Sequence, residues 1–361
     1  MIAIVIGTRP ELIKIFPLVN YLKKKNVKFK IIHTGQHYSK NLNDIFLSDF
    51  SNLSPDYNLR VGSKPHAEQT ALMMIGIEKI VKKNLFNSLI VYGDTNSALA
   101  GALVASKIEN LTLIHLEAGL RSFEIKMPEE TNRKAIDHIS DILITTTKLA
   151  KTFLISEGLS KKNIFYSGNT IVDAVKFCKT KIKNNHLFLK KFNLTTKKYF
   201  LLTLHRQENV ANKKKFLKII NSLNDVIFNF DIDIIFPAHP RTKIFLKSLN
   251  IKLNKRIKLV EPMNYINFLT LIQNSKLIIT DSGGIQEESC VMKVPSITLR
   301  TSTERQETIR MGANILSKYD SKDLLKNIYK ILNKKIIWKS PYGNGKASIE
   351  IYKILKKLKK L

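Results

Sequence analysis

Short apolar runs alternate along this chain with longer segments whose apolar positions recur at helical spacing. In the first half the runs at 2–6, 28–33, 88–92, 112–116, 141–146 and 163–166 are continuous enough to be strands buried on both faces. Amphipathic segments separate them, for example at 11–25, 96–108, 129–139 and 148–157. Such an alternation predicts an α/β fold, a parallel sheet with helices on both sides. The pattern restarts at Tyr199-Phe200-Leu201-Leu202-Thr203-Leu204 and continues with runs at 232–236, 257–260, 276–280 and 295–299. Residues 179–198, rich in Lys and Asn, hold no strong strand and read as the passage between halves. The expectation is two doubly wound, Rossmann-like domains, residues 1–170 and 171–346, joined near residue 170. The segment 347–361 has apolar residues at helical spacing with lysines between them. It is expected to pack back on the first domain; a basic helix lying on a membrane surface is the other reading.

Length supports the division, because 361 residues exceed what one α/β core usually holds. Charge changes the picture more. With 60 basic and 29 acidic residues the formal net charge is +31, which favours anionic partners: nucleic acid, an acidic membrane surface or a nucleotide-sugar. The lysines are spread over most of the expected helices, as in Lys23-Lys24-Lys25 and Lys213-Lys214-Lys215, so a solvated basic surface accounts for them. No nucleic-acid-binding motif accompanies the charge, and no nucleic-acid partner is expected. Cys178 and Cys290 belong to no CxxC or Cys/His cluster, which points away from a zinc site or disulfide framework and towards a reducing cytoplasm. The chain opens directly on a strand-like run, and no apolar run approaches the length of a membrane span, so neither a signal peptide nor membrane insertion is expected.

The chemistry gathers where strand-like runs end. Gly7-Thr8-Arg9-Pro10-Glu11 joins the first run to a helix; Gly7 permits a tight turn and Pro10 suits a first helical turn. Arg9 then stands at the carboxyl end of a strand, where doubly wound folds bind ligands. The turn is not GxGxxG, so no nicotinamide cofactor is expected. Asp94 follows the run at 88–92 and could equally cap the next helix. Glu117 closes the run at 112–116, and Met127-Pro128-Glu129-Glu130 opens a helix whose dipole alone explains one of its glutamates. Three carboxylates on one edge, Asp94, Glu117 and Glu129, suggest proton transfer or stabilisation of a cationic transition state. In the second half His205 follows a strand, and Ser282-Gly283-Gly284 opens a helix whose free N–H groups suit a diphosphate. Glu304-Arg305 adds a cation after the next strand.

Taken in order, these motifs resemble the non-hydrolysing UDP-N-acetylglucosamine 2-epimerases, in particular their archaeal-like members. The resemblance rests on GTRPE at 7–11, GQHY at 35–38, GDTNSALAGALVASK at 93–107, HLEAGLRSF at 115–123 and MPEETNR at 127–133. It continues through GNTIVDA at 168–174, LTLHRQEN at 202–209, PAHPRTK at 237–243 and DSGGIQEE at 281–288. It implies a fold like that of the GT-B glycosyltransferases, two Rossmann-like domains with the active site in the cleft between them. It also implies a homodimer acting on a UDP-sugar with no metal and no nicotinamide. By matching motif positions, Asp94, Glu117, Glu129 and His205 correspond to catalytic residues. Arg9, Lys14, Ser282, Gly283, Gly284, Glu288 and Arg305 correspond to UDP-sugar contacts, with Glu288 on the ribose hydroxyls; Met263 and Phe268 fall where the family holds the uracil. One departure is visible: Thr303-Glu304-Arg305-Gln306-Glu307 stands where the family pattern has proline in the fourth place, which leaves the exact 2-acetamido sugar open. A related UDP-2-acetamido sugar, or a hydrolysing reaction that frees the sugar, are the alternatives. GQHY and His66-Ala67-Glu68-Gln69 partly match the region where bacterial members bind a second, activating UDP-sugar.

Overall fold

In the computed structural model, residues 1–36, 54–183, 185–206, 209, 212–238, 240–248 and 251–361 are described. Contacts divide the chain into two compact units: residues 1–177 together with 341–361, and residues 178–340.

In unit 1 the strands are β1 (Ile2–Ile6), β2 (Phe29–His33), β3 (Tyr57–Asn58), β4 (Ser88–Tyr92), β5 (Thr112–Ala118), β6 (Ile142–Thr145) and β7 (Ile164–Tyr166). All pair in parallel in the order β3-β2-β1-β4-β5-β6-β7. The helices are α1 (Arg9–Lys24), α2 (His66–Lys82), α3 (Asn96–Ala105), α4 (Pro128–Ile139) and α5 (Lys148–Ser156), with α6 (Thr170–Lys183) leading out of the unit. Unit 2 begins its regular structure with α7 (His186–Lys190). Its strands β8 (Tyr199–Thr203), β9 (Asp233–Pro237), β10 (Ile257–Val260), β11 (Leu277–Thr280), β12 (Ser296–Thr298) and β13 (Asn314–Leu316) are again parallel, in the order β10-β9-β8-β11-β12-β13. Between them run α8 (Lys213–Phe230), α9 (Pro240–Ser248), α10 (Tyr265–Asn274), α11 (Gly283–Val291), α12 (Gln306–Arg310) and α13 (Ser321–Leu332). The last helix, α14 (Ala347–Lys357), lies in unit 1, where Tyr352 packs edge-on against Tyr21 of α1 and Asp173 accepts the Ala347 and Ser348 N–H groups.

The α/β reading is borne out, both sheets being doubly wound. Strand order reverses beside β1 in unit 1 and beside β8 in unit 2, which puts a ligand crevice at the carboxyl ends of β1 and β4, and of β8 and β11. The core strands are fully buried apolar runs, Ile2 to Ile6 and Leu277 to Ile279 among them. Helix α3 rides close on that sheet because Gly101 has no side chain; a Cβ there would meet Val91 Cγ1 at 2.9 Å. β3 and β13 were not expected: they have only two and three residues, too short to show a period.

The β1–α1 turn fixes the first edge. Gly7 lies so close to α3 that a Cβ would sit 1.9 Å from Ser97 Oγ and 2.3 Å from Thr34 Oγ1. Thr8 and Glu11 then form a capping box: Glu11 Oε2 accepts the Gly7 and Thr8 N–H groups, each at 2.7 Å, and the Thr8 hydroxyl at 3.0 Å, while Oε1 accepts Thr95 Oγ1 at 2.6 Å. Burial pushes the Glu11 carboxyl from its ordinary 4.5 up to about 7, the hydrogen bonds only partly opposing it. A carboxyl raised in the folded state favours folding most below its unfolded value, and that contribution is lost as pH rises through about 7. Wild type should therefore lose up to about 3 kcal/mol between pH 4.5 and 7 relative to Glu11→Gln, whose amide satisfies the same partners without charge. Urea midpoints of both proteins at pH 4.5 and 7.5 check this; midpoints that move in parallel would refute it.

Candidate active site

At the unit 1 edge, Glu117 is the penultimate residue of β5 and has a backbone φ of +74°, and the β5–β6 register slips between Leu116 and Ala118. A left-handed glutamate inside a strand is costly, and such strain gathers at functional sites. The bulge turns the carboxylate towards Lys14, one turn into α1. The two form an ion pair with each side chain about 5–6% exposed, and Lys14 Nζ also stands 5.8 Å from the Tyr92 ring centroid. Gly93, at φ +68°, leaves room on the other side, since a Cβ there would lie 3.1 Å from Glu117 Oε2.

Asp94 follows at once. Arg133 of α4 grips its Oδ2 through Nε at 2.8 Å and Nη2 at 2.6 Å, and Asn132 Nδ2 donates to its carbonyl at 2.9 Å. Arg133 also pairs with Glu130, which accepts the Ser122 N–H and hydroxyl and the Phe123 N–H. Burial works to raise the Glu130 carboxyl, but those bonds and the Arg133 charge hold it below the usual carboxylate range. Glu130 is thus the glutamate committed to structure, and its neighbour Glu129 stands half-buried in the first turn of α4. Arg9 opens α1, half-buried on the same edge.

At the unit 2 edge, His205 follows β8 with its side chain 53% exposed, and Asp281 follows β11 fully buried. His205 Nδ1 lies 2.9 Å from Asp281 Oδ1. The same carboxylate accepts the His205 and Arg206 N–H groups and Asn209 Nδ2. Burial opposes its ionisation, but the His205 charge and these donors prevail and pull its pKa down to about 2. An ionised Asp281 can only accept, so Nδ1 carries a proton and Nε2 is the nitrogen turned outwards. Ser282 caps α11, and Gly283 and Gly284 supply first-turn N–H groups at a partly exposed helix start. Gly283 admits the Glu304 carboxylate, whose Oε1 would be 2.2 Å from a Cβ, and Arg305 beyond it. Arg305 is 5% exposed and ion-pairs with Glu287, its Nε standing 2.6 Å from Oε1. Glu288 is buried and hydrogen-bonded to Tyr265, whose hydroxyl stays protonated through burial first and that carboxylate second. Met263 and Phe268 are half-buried on either side of the α10 start.

The structure therefore gathers Lys14, Glu117 and Asp94 on one edge, and His205, Ser282, Gly283, Gly284 and Arg305 on the other. Asp281, Arg133 and Glu287 stood inside the motifs DSGGIQEE and MPEETNR but were given no role. Asp281 stood next to Ser282 at a strand end, a position that could have flagged it. The other two lie on helices, and their partners stand on other segments of the chain or past the helix end, so no local pattern marks them. His37 and Tyr38 of the 35–38 motif, Gln207, Glu208 and His239 lie outside the described residues. No group of three or more metal-ligating side chains occurs among the described residues. None of their helices is long and apolar enough to cross a membrane.

Asp281→Asn would turn an amide N–H₂ towards groups that are all donors, at a cost of about 1–3 kcal/mol. Imidazole ¹⁵N spectra should show neutral His205 as the Nδ1–H tautomer in wild type and as a mixture in the variant. Identical spectra would dissolve the dyad.

The family model of UDP-N-acetylglucosamine 2-epimerase matches residues 20–356. The UDP-N-acetylglucosamine 2-epimerase of Methanocaldococcus jannaschii is 48% identical over 360 residues, covering 98% of each chain. The crystal structure of that enzyme in complex with UDP-GlcNAc and UDP superposes with a TM-score of 0.93 over 99% of each chain, at 48% identity. A 35% identical relative, matching over 98% of this chain and 99% of its own, is the UDP-2,3-diacetamido-2,3-dideoxy-D-glucuronate 2-epimerase of Pseudomonas aeruginosa. With the fold, the strand-end carboxylates and the full-length likeness in agreement, the chain belongs to the UDP-N-acetylglucosamine 2-epimerase family.

Proposed function

We propose that this protein interconverts UDP-N-acetylglucosamine and UDP-N-acetylmannosamine without hydrolysing either. The observation that carries the reading is the full-length likeness to a relative whose structure holds UDP-GlcNAc and UDP. The strained, Lys14-paired Glu117 beside Asp94 supports it chemically. A UDP-sugar also suits a chain of net charge +31.

The C2 hydrogen of the sugar is not next to a carbonyl, so direct deprotonation is unfavourable. Departure of UDP from C1 builds oxocarbenium character, which acidifies C2–H. A carboxylate among Asp94, Glu117 and Glu129 takes the proton, leaving 2-acetamidoglucal and UDP. Return of a proton to the opposite face of C2, and of UDP to C1, completes the inversion. Carboxylates support the cationic phase as they do in glycosidases. Arg9, Lys14, Arg305, the outward Nε2 of His205 and the N–H groups of Ser282-Gly283-Gly284 take up the charge of the leaving diphosphate. Glu288 binds the ribose hydroxyls, and Met263 and Phe268 flank the uracil. The balance of atoms and electrons needs neither nicotinamide nor metal. The enzyme works as a cytoplasmic homodimer. The 35% likeness to an epimerase of a diacetamido uronic acid makes that UDP-sugar the second substrate to test.

Incubation with UDP-N-acetylglucosamine in deuterated water, followed by NMR, tests the reading. Deuterium should enter C2 of the product, and UDP with 2-acetamidoglucal should be released slowly. Asp94→Asn, Glu117→Gln and Glu129→Gln should each slow turnover by roughly 10²-fold or more while UDP still binds. Inverted product that keeps its original C2 hydrogen, with no glucal, would sink the mechanism. Free N-acetylmannosamine accumulating with UDP would replace it by hydrolysis.

A further inference from the structure

A second His–Asp pair lies in unit 1, wholly inside the protein. His115 Nδ1 is 2.7 Å from Asp137 Oδ1, as His205 is bonded to Asp281, but its Nε2 is also taken, donating to the Gly93 carbonyl at 2.8 Å. Both side chains are 1% exposed or less, so neither reaches a substrate. What they reach is the backbone on either side of the proposed reacting carboxylates.

The placement is specific. Glu117 holds its left-handed conformation between two anchors on one carboxylate: His115, two residues before it, on Asp137 Oδ1, and the Gly119 N–H, two residues after it, on Oδ2 at 3.1 Å. The same imidazole ties down Gly93, the residue before Asp94, and the Gly93 N–H is held by the Leu116 carbonyl at 3.0 Å. Arg121 closes the cluster, bonding Asp137 Oδ2 through Nη1 at 2.7 Å and Glu157 through Nε and Nη2 at 2.7 and 2.6 Å. Burial works against the Asp137 charge, and His115 and Arg121 more than offset it. A buried ion cluster of this kind adds little net stability over apolar packing; what it supplies is direction.

We propose that Asp137 and His115 are positioning residues for the epimerisation. Together they clamp the Glu117 bulge and the Gly93-Asp94 turn so that both carboxylates meet the sugar at C2. The inference rests on the function proposed above. Without the clamp the left-handed residue relaxes towards ordinary strand geometry and its carboxylate swings away, and a displacement near 1 Å is enough to cost roughly 10²-fold in rate.

The test uses the full-length protein with His115→Gln and Asp137→Asn, read by kcat, KM, calorimetric UDP affinity and hydrogen exchange over residues 93–95 and 117–119. Turnover should fall by roughly 10²-fold, while KM and UDP affinity stay within about threefold. Exchange should quicken in those two segments and not elsewhere. A purely structural role would instead lower turnover in step with the number of UDP sites per chain, and that result overturns the proposal. So does a folded variant whose kcat stays close to wild type. Should neither variant fold, the wild-type Gly119 amide decides: it should exchange only on global unfolding, and exchange as fast as Ile125 or Lys126 in the neighbouring exposed loop refutes the clamp. Wild type inactive on UDP-N-acetylglucosamine would defeat the function and not the clamp, which the Gly119 amide and the segment exchange still report.

Discussion

A parallel sheet covered on both faces leaves its polar chemistry one place to go, the carboxyl ends of the strands. A charged group fully buried there must find its partners inside the protein, because water does not reach it. Three buried carboxylates meet that constraint here. Glu11 gathers the N–H groups of the first turn, Asp137 the bulge around Glu117, and Asp281 the loop after β8. Each is a knot into which loops from different strands are tied. Exposed surface pairs such as Lys64–Glu68 and Lys82–Glu78 have no comparable hold and contribute about 0–1 kcal/mol each.

The three knots share burial but not electrostatics. Glu11 is surrounded only by neutral donors, and burial wins, lifting its carboxyl to about 7. Asp137 faces His115 and Arg121, and Asp281 faces His205; there the partner charge wins and both fall below the ordinary carboxylate value. The sign of the shift follows from whether a cation stands within hydrogen-bond reach, not from depth. A neutral knot can lose its charge without losing its shape. The two charged knots cannot, because neutralising the carboxylate would leave the facing cation without its counter-charge.

Much of this architecture was legible in the pattern of apolar residues. A continuous apolar run that ends in Gly-Asp, as at 89–94, or in a glutamate, as at 113–117, announces both a strand and the acid at its mouth. What stayed illegible depends on distance along the chain. Lys14 meets Glu117 across 103 residues and Arg133 meets Asp94 across 39, and no local period encodes such pairs. The left-handed backbone at Glu117 was equally hidden, since no glycine or asparagine marks the position. Strands β3 and β13 were missed for a simpler reason: two or three residues pair because the neighbouring strand offers a free edge, not because their own sequence demands it.

The two His–Asp pairs show how one motif serves two ends. Each places an imidazole Nδ1 on a buried aspartate, at 2.7 Å in one unit and 2.9 Å in the other. In unit 2 the ring stands half in solvent, so its second nitrogen remains available to a ligand. In unit 1 a backbone carbonyl has already claimed that nitrogen, and the ring becomes a strut. The difference comes from the strand ends. His115 sits inside β5, paired with Val91 and Leu143 and three residues before the strand ends at Ala118, whereas β8 stops at Thr203 and leaves His205 on the loop beyond it. Its place within or beyond the strand thus separates an imidazole open to a ligand from one enclosed by its own unit.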